Sequence, residues 1–432
     1  MLIPRSVLDA LAATVGETRS DRLRVVYQDI DLDPLDLVRA GAASFGQAFF
    51  FSSPVGRSIG ALGAAWNQTA SGEDRLLTLD AHVAELDRAT PVLVGFSFDP
   101  EGPGLEWEGF AAASAVVPEV GVVRESGRSR LFLSIPAGSD GRALLTLLST
   151  LESPTPTVAQ TADFTLEPRP PPADYVGIVD EAVATIRSGA VSKVVLARSV
   201  VARTPQPVDG FELVARLRAG FPGCYAFGWQ QGDAVFLGAS PELLVSRKED
   251  LVMLSPLAGT APRGGDPEED RRIGEELLES TKDRFEHRVV VDDVLDRIAP
   301  LATDLRAEAA PHLLRFPNVQ HLATAITGKT AARVLEIASA LHPTAAVGGL
   351  PRSEALALIK KLEGLDRGWY SGGIGWLDPG GDGEVVIGLR CGLVRDDQVM
   401  LFAGNGIVGD SNPAAELAET RLKLRALLDL LT

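Results

Sequence analysis

Basic side chains are in short supply. The 432-residue chain sets 41 lysines and arginines against 58 acidic residues, for a formal charge of −17 and an isoelectric point near 4.8. Nucleic acids and anionic membranes are read through a basic footprint, so neither is the expected partner. An anionic substrate would have to be held by a local cluster of cations or by a metal. Cysteine is nearly missing: Cys224 and Cys391 are too few for a disulfide framework or a structural zinc site, and they suit a reducing cytoplasm. No stretch approaches the roughly 20 uninterrupted apolar residues of a membrane helix. The opening MLIPRSVLDALAATV mixes Arg5 and Asp9 into a short apolar pattern and shows no signal-peptide core or cleavage site. Repeats of fixed period are absent, which excludes solenoids and propellers. A cytoplasmic globular protein is expected, with a monomer as the default.

What is present is apolar material, 45% of the residues, enough for one large core or for two to three smaller ones. Up to about residue 150, short strand-like runs (QAFFFS, PVLVGFSF, SRLFLSIP) alternate with Gly- and Ser-rich turns. The segment LEPRPPPA (166–173) predicts extended chain that makes poor helix or sheet, and reads either as a linker or as a surface crossing. Residues 174–189 carry apolar positions at helical spacing up to Gly189. VSKVVLARSVV and DAVFLGASPELLVSRK read as strands. Residues 267–298 read as one long helix, charged on one side. YSGGIGWLD, EVVIGLRCGLV and QVMLFAGNGIV form a last strand set, followed by a helix from about Pro413. Helices and hairpin-like strands mix without a βαβ rhythm, which predicts an α+β fold.

Several residues carry chemistry. Lys193, in VSKVVLARSVV, shares a strand face with Val195 and Ala197. Burial of its ammonium would make it a general base; at a strand end it could instead reach solvent. Glu242 follows a Gly-Ala-Ser-Pro turn that can aim a carboxyl into a cleft, where burial would make it a general acid. Asp283 and Glu286 lie three apart on one helix face, and Glu416 and Glu419 repeat the spacing, with Lys423 one turn on. Two such pairs brought together need a cation, and hard oxygen donors suit Mg²⁺. Equally, acidic residues early in a helix favour its dipole, and Asn412-Pro413 is a good helix start. PLAGTAPRG and AGNGIVG offer backbone N–H groups to an anion or are ordinary turns, and neither matches a Walker A or dinucleotide loop. Arg390, inside an apolar run, demands a partner. Tyr370 reads as a hydroxyl donor or a core residue, and His342 as a structural histidine or a base.

In their order, SKVVLARS, GASPELL, PLAGTAPRG, TKDRFEH, LHPTAAVGG, RGWYSGGIGW, GLRC and AGNGIV…SNPAAELAETRLK make residues 174–430 resemble the chorismate-utilising enzymes; residues 1–165 resemble them only loosely. The resemblance implies a single large α+β domain of two antiparallel sheets packed face to face with helices outside. It implies Mg²⁺ on Glu286 and Glu419, with Asp283 and Glu416 supporting through water. Lys193 matches the general base and Glu242 the general acid. Gly259, Thr260, Gly404, Gly406 and Lys423 match groups that hold substrate carboxylates, Arg390 and Tyr370 those that grip the enolpyruvyl side chain, and His342 a histidine of the same cleft. Lysine at 193, where anthranilate synthases usually have glutamine, and alanine at 258, where aminodeoxychorismate synthases use lysine, match the branch that adds water. The implied activity is isochorismate synthase, acting on chorismate without a glutaminase subunit and feeding menaquinone, siderophore or salicylate synthesis. Salicylate synthase is the alternative, and anthranilate synthase component I a further one. Asn405 departs from the family's usual alanine and is expected to be a hydrogen-bonded bystander.

Overall fold

The computed structural model describes residues 1–15, 22–154 and 164–431. Its β-branched and aromatic runs form two large antiparallel sheets, of 12 and 9 strands among the described residues, with a separate 3-stranded sheet that the sequence reading did not anticipate. Strands from both sides of residue 165 interleave. Gln47–Ser52 pairs with Tyr225–Gln231 in the larger sheet, and Val92–Phe96 pairs with Gly373–Leu377 in the smaller. Neither sheet is complete without both parts of the chain.

The inner faces of the sheets meet in an aromatic core. Phe49, Phe227, Trp229 and Phe236 of the larger sheet pack with Leu93, Ile374 and Val386 of the smaller, and Trp107 and Trp369 fill the space between. Phe49 stands edge-on to Trp229 at 4.6 Å, and Trp229 to Trp369 at 5.0 Å; such pairs add about 0.5–1.5 kcal/mol each beyond area burial. Helices cover the outer faces: Pro34–Phe45, Gly210–Gly220 and Pro413–Leu428 bury Leu35, Phe211 and Leu424 on the larger sheet. Arg75–Ala84 and Val334–Leu341 bury Leu79 and Leu335 with residues of the smaller.

Two runs that read as single strands each change sheet midway. DAVFLGASPELLVSRK divides into Ala234–Ser240 in the larger sheet and Leu243–Lys248 in the smaller, parted at Pro241, which has no N–H to donate to a ladder. EVVIGLRCGLV divides into Gly383–Ile387 and Cys391–Arg395, in the opposite direction. Arg390 is therefore not inside a strand. It sits in the crossing with φ 47°, beside Gly388, where a Cβ would lie 2.6 Å from the Trp369 carbonyl. The two crossings are tied together: Ile387 N–H donates to the Glu242 carbonyl at 3.1 Å, and Ala239 N–H to that of Arg390 at 3.1 Å.

Other expectations also change. The single helix over 267–298 is two, Pro267–Glu279 and Thr281–Ile298, because Ser280 leaves helical geometry and caps the second through the Asp283 N–H at 3.2 Å. The proline-rich segment does enter a sheet. Thr165–Arg169 lies along Ser199–Arg203 at an edge, where Pro168 needs no donor, and Pro172 opens the helix Pro172–Arg187. The first glycine motif is a strand rather than a turn, Leu257–Pro262 with a bulge between Ala258 and Thr260, and the second is the end of the expected strand, Gln398–Ile407.

Candidate active site

Lys193 opens the strand Lys193–Arg203, which runs antiparallel to Gln398–Ile407 with Val195 opposite Gly406 and Ala197 opposite Gly404. Paired residues share a sheet face, so the lysine and both glycines look into one cleft. The glycines are there for room. A Cβ at 406 would lie 2.8 Å from Lys193 Cε and overlap the Glu286 carboxylate, and one at 404 would lie 2.7 Å from the Tyr370 hydroxyl. The Lys193 side chain is 2% exposed, and its Nζ is 3.0 Å from Glu286 Oε1. Glu242, buried at the sheet crossing, lines the same cleft. Burial pushes its carboxyl up to about 8, against the opposing pull of the Lys193 and Arg390 charges.

Two helices bring four carboxylates to this cleft. Asp283 and Glu286 come from the first turns of Thr281–Ile298, Glu416 and Glu419 from those of Pro413–Leu428. Asn412 caps the latter by accepting from Ala414 and Ala415 N–H, both at 3.1 Å. Asp283 is raised by burial, then by Glu286 and Glu419, while its bond from Ser280 opposes. Burial raises Glu416 too, with Glu419 adding to it. Among the described residues no three His, Cys, Asp or Glu side chains form a ready-made metal group, and lysines take up the charge instead. Lys423 lies 2.8 Å from Glu419, Lys282 3.7 Å from Glu416, and Lys193 holds Glu286. In kind the donors fit a hard divalent cation, being oxygen only and mutually repulsive on one wall. Coordination would require these lysine contacts to be exchanged.

The far wall holds Arg390, Tyr370 and Thr260. Tyr370 is 2% exposed and stacks on Phe402 at 5.2 Å. Among the described residues no carboxylate stands within ion-pair distance of Arg390. Its guanidinium donates to His321 Nε2 at 2.9 Å, while His321 Nδ1 donates to the Gly259 carbonyl at 3.2 Å and lies 3.1 Å from Thr260 Oγ1. Burial and the Arg390 charge hold His321 well below its ordinary range, so it is the neutral partner of a cation. Gly259, with φ 74°, makes the bulge that brings Thr260 to it.

His342 is the residue the structure does not bring to the cleft. It lies behind it, donating Nε2–H to the Ser371 carbonyl at 2.8 Å, edge-on to Phe96 at 5.0 Å. A larger cavity opens on that far side, without the lysine–glutamate pair, so size does not mark the chemistry here. The sequence reading missed two residues of the cleft. His321 and Lys282 line the cleft and carried no pattern of their own. Asn405, noted as a bystander, donates Nδ2–H to Glu416 Oε2 at 2.9 Å and so fixes a carboxylate of the site.

With this geometry in place, comparison with known proteins is decisive. The model of the family described as "Chorismate binding enzyme" matches residues 9–432. The chain belongs to the chorismate-binding enzyme family. It is 38% identical to the salicylate biosynthesis isochorismate synthase of Pseudomonas aeruginosa, over 97% of this chain and 92% of that one. It is 32% identical to the isochorismate synthase MenF of Bacillus subtilis, over 99% and 97%. The menaquinone-specific isochorismate synthase of Escherichia coli superposes with a TM-score of 0.87 at 26% identity, covering 99% of both chains. The α+β fold of face-packed antiparallel sheets is thus that of the chorismate-binding enzymes. Among the described residues no helix is long and apolar enough to cross a membrane.

Proposed function

We propose that the protein is an isochorismate synthase, converting chorismate to isochorismate by adding water at C2 with loss of the C4 hydroxyl. The observation that carries this reading is the burial of Lys193 and Glu242 in one cleft, with the Glu242 carboxyl pushed up to about 8. A carboxyl that keeps its proton near neutral pH is suited to give it to a departing hydroxyl. Lys193, in the same cleft, is the base that takes a proton from the attacking water. The new C–O bond forms at C2, both ring double bonds shift by one position (C1=C2 to C1=C6 and C5=C6 to C4=C5), and the C4–O bond breaks as Glu242 delivers its proton, so that the hydroxyl leaves as water. No nitrogen is incorporated, and no glutaminase subunit is needed.

The substrate is a dianion, and Arg390, with no carboxylate within ion-pair distance among the described residues, would grip the enolpyruvyl carboxylate with the Tyr370 hydroxyl. Gly404, Gly406, Gly259, Thr260 and Lys423 border the space left for the ring carboxylate. In this reading Glu286 and Glu419 would hold Mg²⁺, with Asp283 and Glu416 supporting the site. Bound there, the ion would neutralise the ring carboxylate and withdraw electron density from the ring.

A second reading, in which pyruvate is then eliminated to give salicylate, uses the same cleft and draws on the similarity to a salicylate-pathway enzyme. One assay separates the two. Chorismate incubated with the protein, with Mg²⁺ or with EDTA, is expected to approach an equilibrium with isochorismate only with Mg²⁺. Accumulating salicylate and pyruvate would establish the second reading, and incorporation of ammonia would overturn both.

A further inference from the structure

A cavity of about 980 Å³ lies on the far side of His342 from the cleft, between the loop after Val92–Phe96, the start of Arg75–Ala84 and the helix Arg352–Leu362. Its charges are unevenly used. Glu363 is consumed by Arg367, a pair in which both side chains are buried, and Asp366 accepts from Gly104 and Gly368 N–H at 2.7 and 3.0 Å. Glu73, Asp74, Asp99 and Lys360 sit exposed at the rim. Arg75 and Arg352 are left. Among the described residues neither has a carboxylate within ion-pair distance; Arg75 donates to the Ser97 carbonyl at 3.1 Å, and Arg352 to that of His342.

Arg75 is 5% exposed and its Nε is buried without a partner. Burial holds both guanidiniums below their ordinary range; Arg352 adds to this at Arg75 and Arg297 at Arg352, while Glu73, Asp99 and Glu101 oppose it at Arg75 and Glu73 and Asp293 at Arg352. Two arginines facing the same cavity, neither with a carboxylate within ion-pair distance among the described residues, favour an anion bound between them. The remaining wall is apolar, formed by Phe98, Pro343, Leu356 and Leu365, which favours a ligand with a ring behind its charge.

We infer that this cavity is a second binding site, for a small carboxylate with an apolar ring, separate from the catalytic cleft. One hydrogen-bonded layer divides the two spaces. His342 donates to the Ser371 carbonyl, and Arg367 donates to the Val347 and Val195 carbonyls at 2.8 and 2.9 Å; Ser371, Val347 and Val195 line the cleft on the other side. The inference does not depend on which reaction the cleft performs.

The probe is benzoate, titrated into the full chain by calorimetry, with acetate (charge without ring) and benzamide (ring without charge) as controls. Benzoate is expected to bind, and both controls to bind about tenfold or more weakly. Arg352→Gln should weaken benzoate by a similar factor. Ala357→Trp fills the mouth from an exposed helix position and should abolish binding with unchanged thermal stability. Arg390→Gln, which alters the cleft, should leave benzoate affinity as it is. Displacement of benzoate by chorismate in that variant would identify a substrate-like ring acid as the occupant, and its absence an unrelated aromatic acid. The site is refuted if benzoate does not bind, if acetate binds as well, or if Arg390→Gln removes binding while Ala357→Trp does not.

Discussion

At the residue scale the site turns on one carboxyl. Glu242 holds its proton to about 8 in the folded chain against an ordinary value of 4.5. Below about 8 it can act as an acid; above it, the acid is lost and turnover should fall by about tenfold per pH unit. A pH profile of kcat checks this, and a flat profile through that region would remove Glu242 from the role. The same shift has a stability consequence. Between 4.5 and about 8 the native state binds more protons than the unfolded one, so this carboxyl makes stability decline as pH rises through that window. Glu242→Gln removes the ionisation, so its melting temperature should decline less than the parent's across the window, while turnover falls by roughly 10²–10⁴-fold. Lys193→Ala should lose activity to a similar degree with the fold intact by circular dichroism; near-parental turnover would refute the base assignment. Strand and turn context left both residues open to an ordinary reading and the resemblance in motif order singled them out, whereas nothing singled out His321. It acts through Arg390 and Thr260, neighbours brought to it from 69 and 61 positions away, and no local pattern records such a contact.

At the element scale the strand Gln398–Ile407 and the two carboxylate helices define the cleft's shape. Gly406→Ala would press on the far ends of two flexible side chains, Glu286 and Lys193, which can move without unfolding the sheet. Turnover should therefore fall by about two orders of magnitude, as expected when a proton-transfer group is displaced, with little change in melting temperature. A large loss of stability instead would mean that the strand cannot accept the side chain. Ser280 ends one helix and caps the next, and it also donates to the Asp283 carboxylate. Ser280→Ala should cost about 1 kcal/mol in chemical denaturation. Helical spacing alone ran these two helices together, because nothing in a 3.6-residue period marks a single serine whose backbone turns away.

At the scale of the whole molecule, the buried Arg367–Glu363 pair ties the layers together. Glu363 Oε1 also accepts from Ala197 N–H at 2.7 Å, and Arg367 reaches the carbonyls of Val195 and Val347, so one ion pair joins the lysine strand to the wall behind the cleft. Glu363→Ala would leave a buried guanidinium unpaired and should destabilise the fold by roughly 3–5 kcal/mol. Equilibrium urea unfolding checks it; a change under 1 kcal/mol, about the worth of an exposed pair, would show that Arg367 finds another partner.

The sequence by itself determined the α+β class, most of the strands and helices, and the candidate acids and bases of the cleft, because periodicity and motif order are local properties of the chain. Apolar alternation shows that VFLGAS and ELLV are strands; it cannot show that they belong to different sheets. Only the tertiary structure decided that Glu242 and Arg390 stand at adjacent sheet crossings, that His342 faces the other side of the wall, and that the carboxylates meet lysines. Those outcomes depend on which distant segment supplies the partner for each buried charge and each unpaired backbone group, a choice made by packing across the whole molecule.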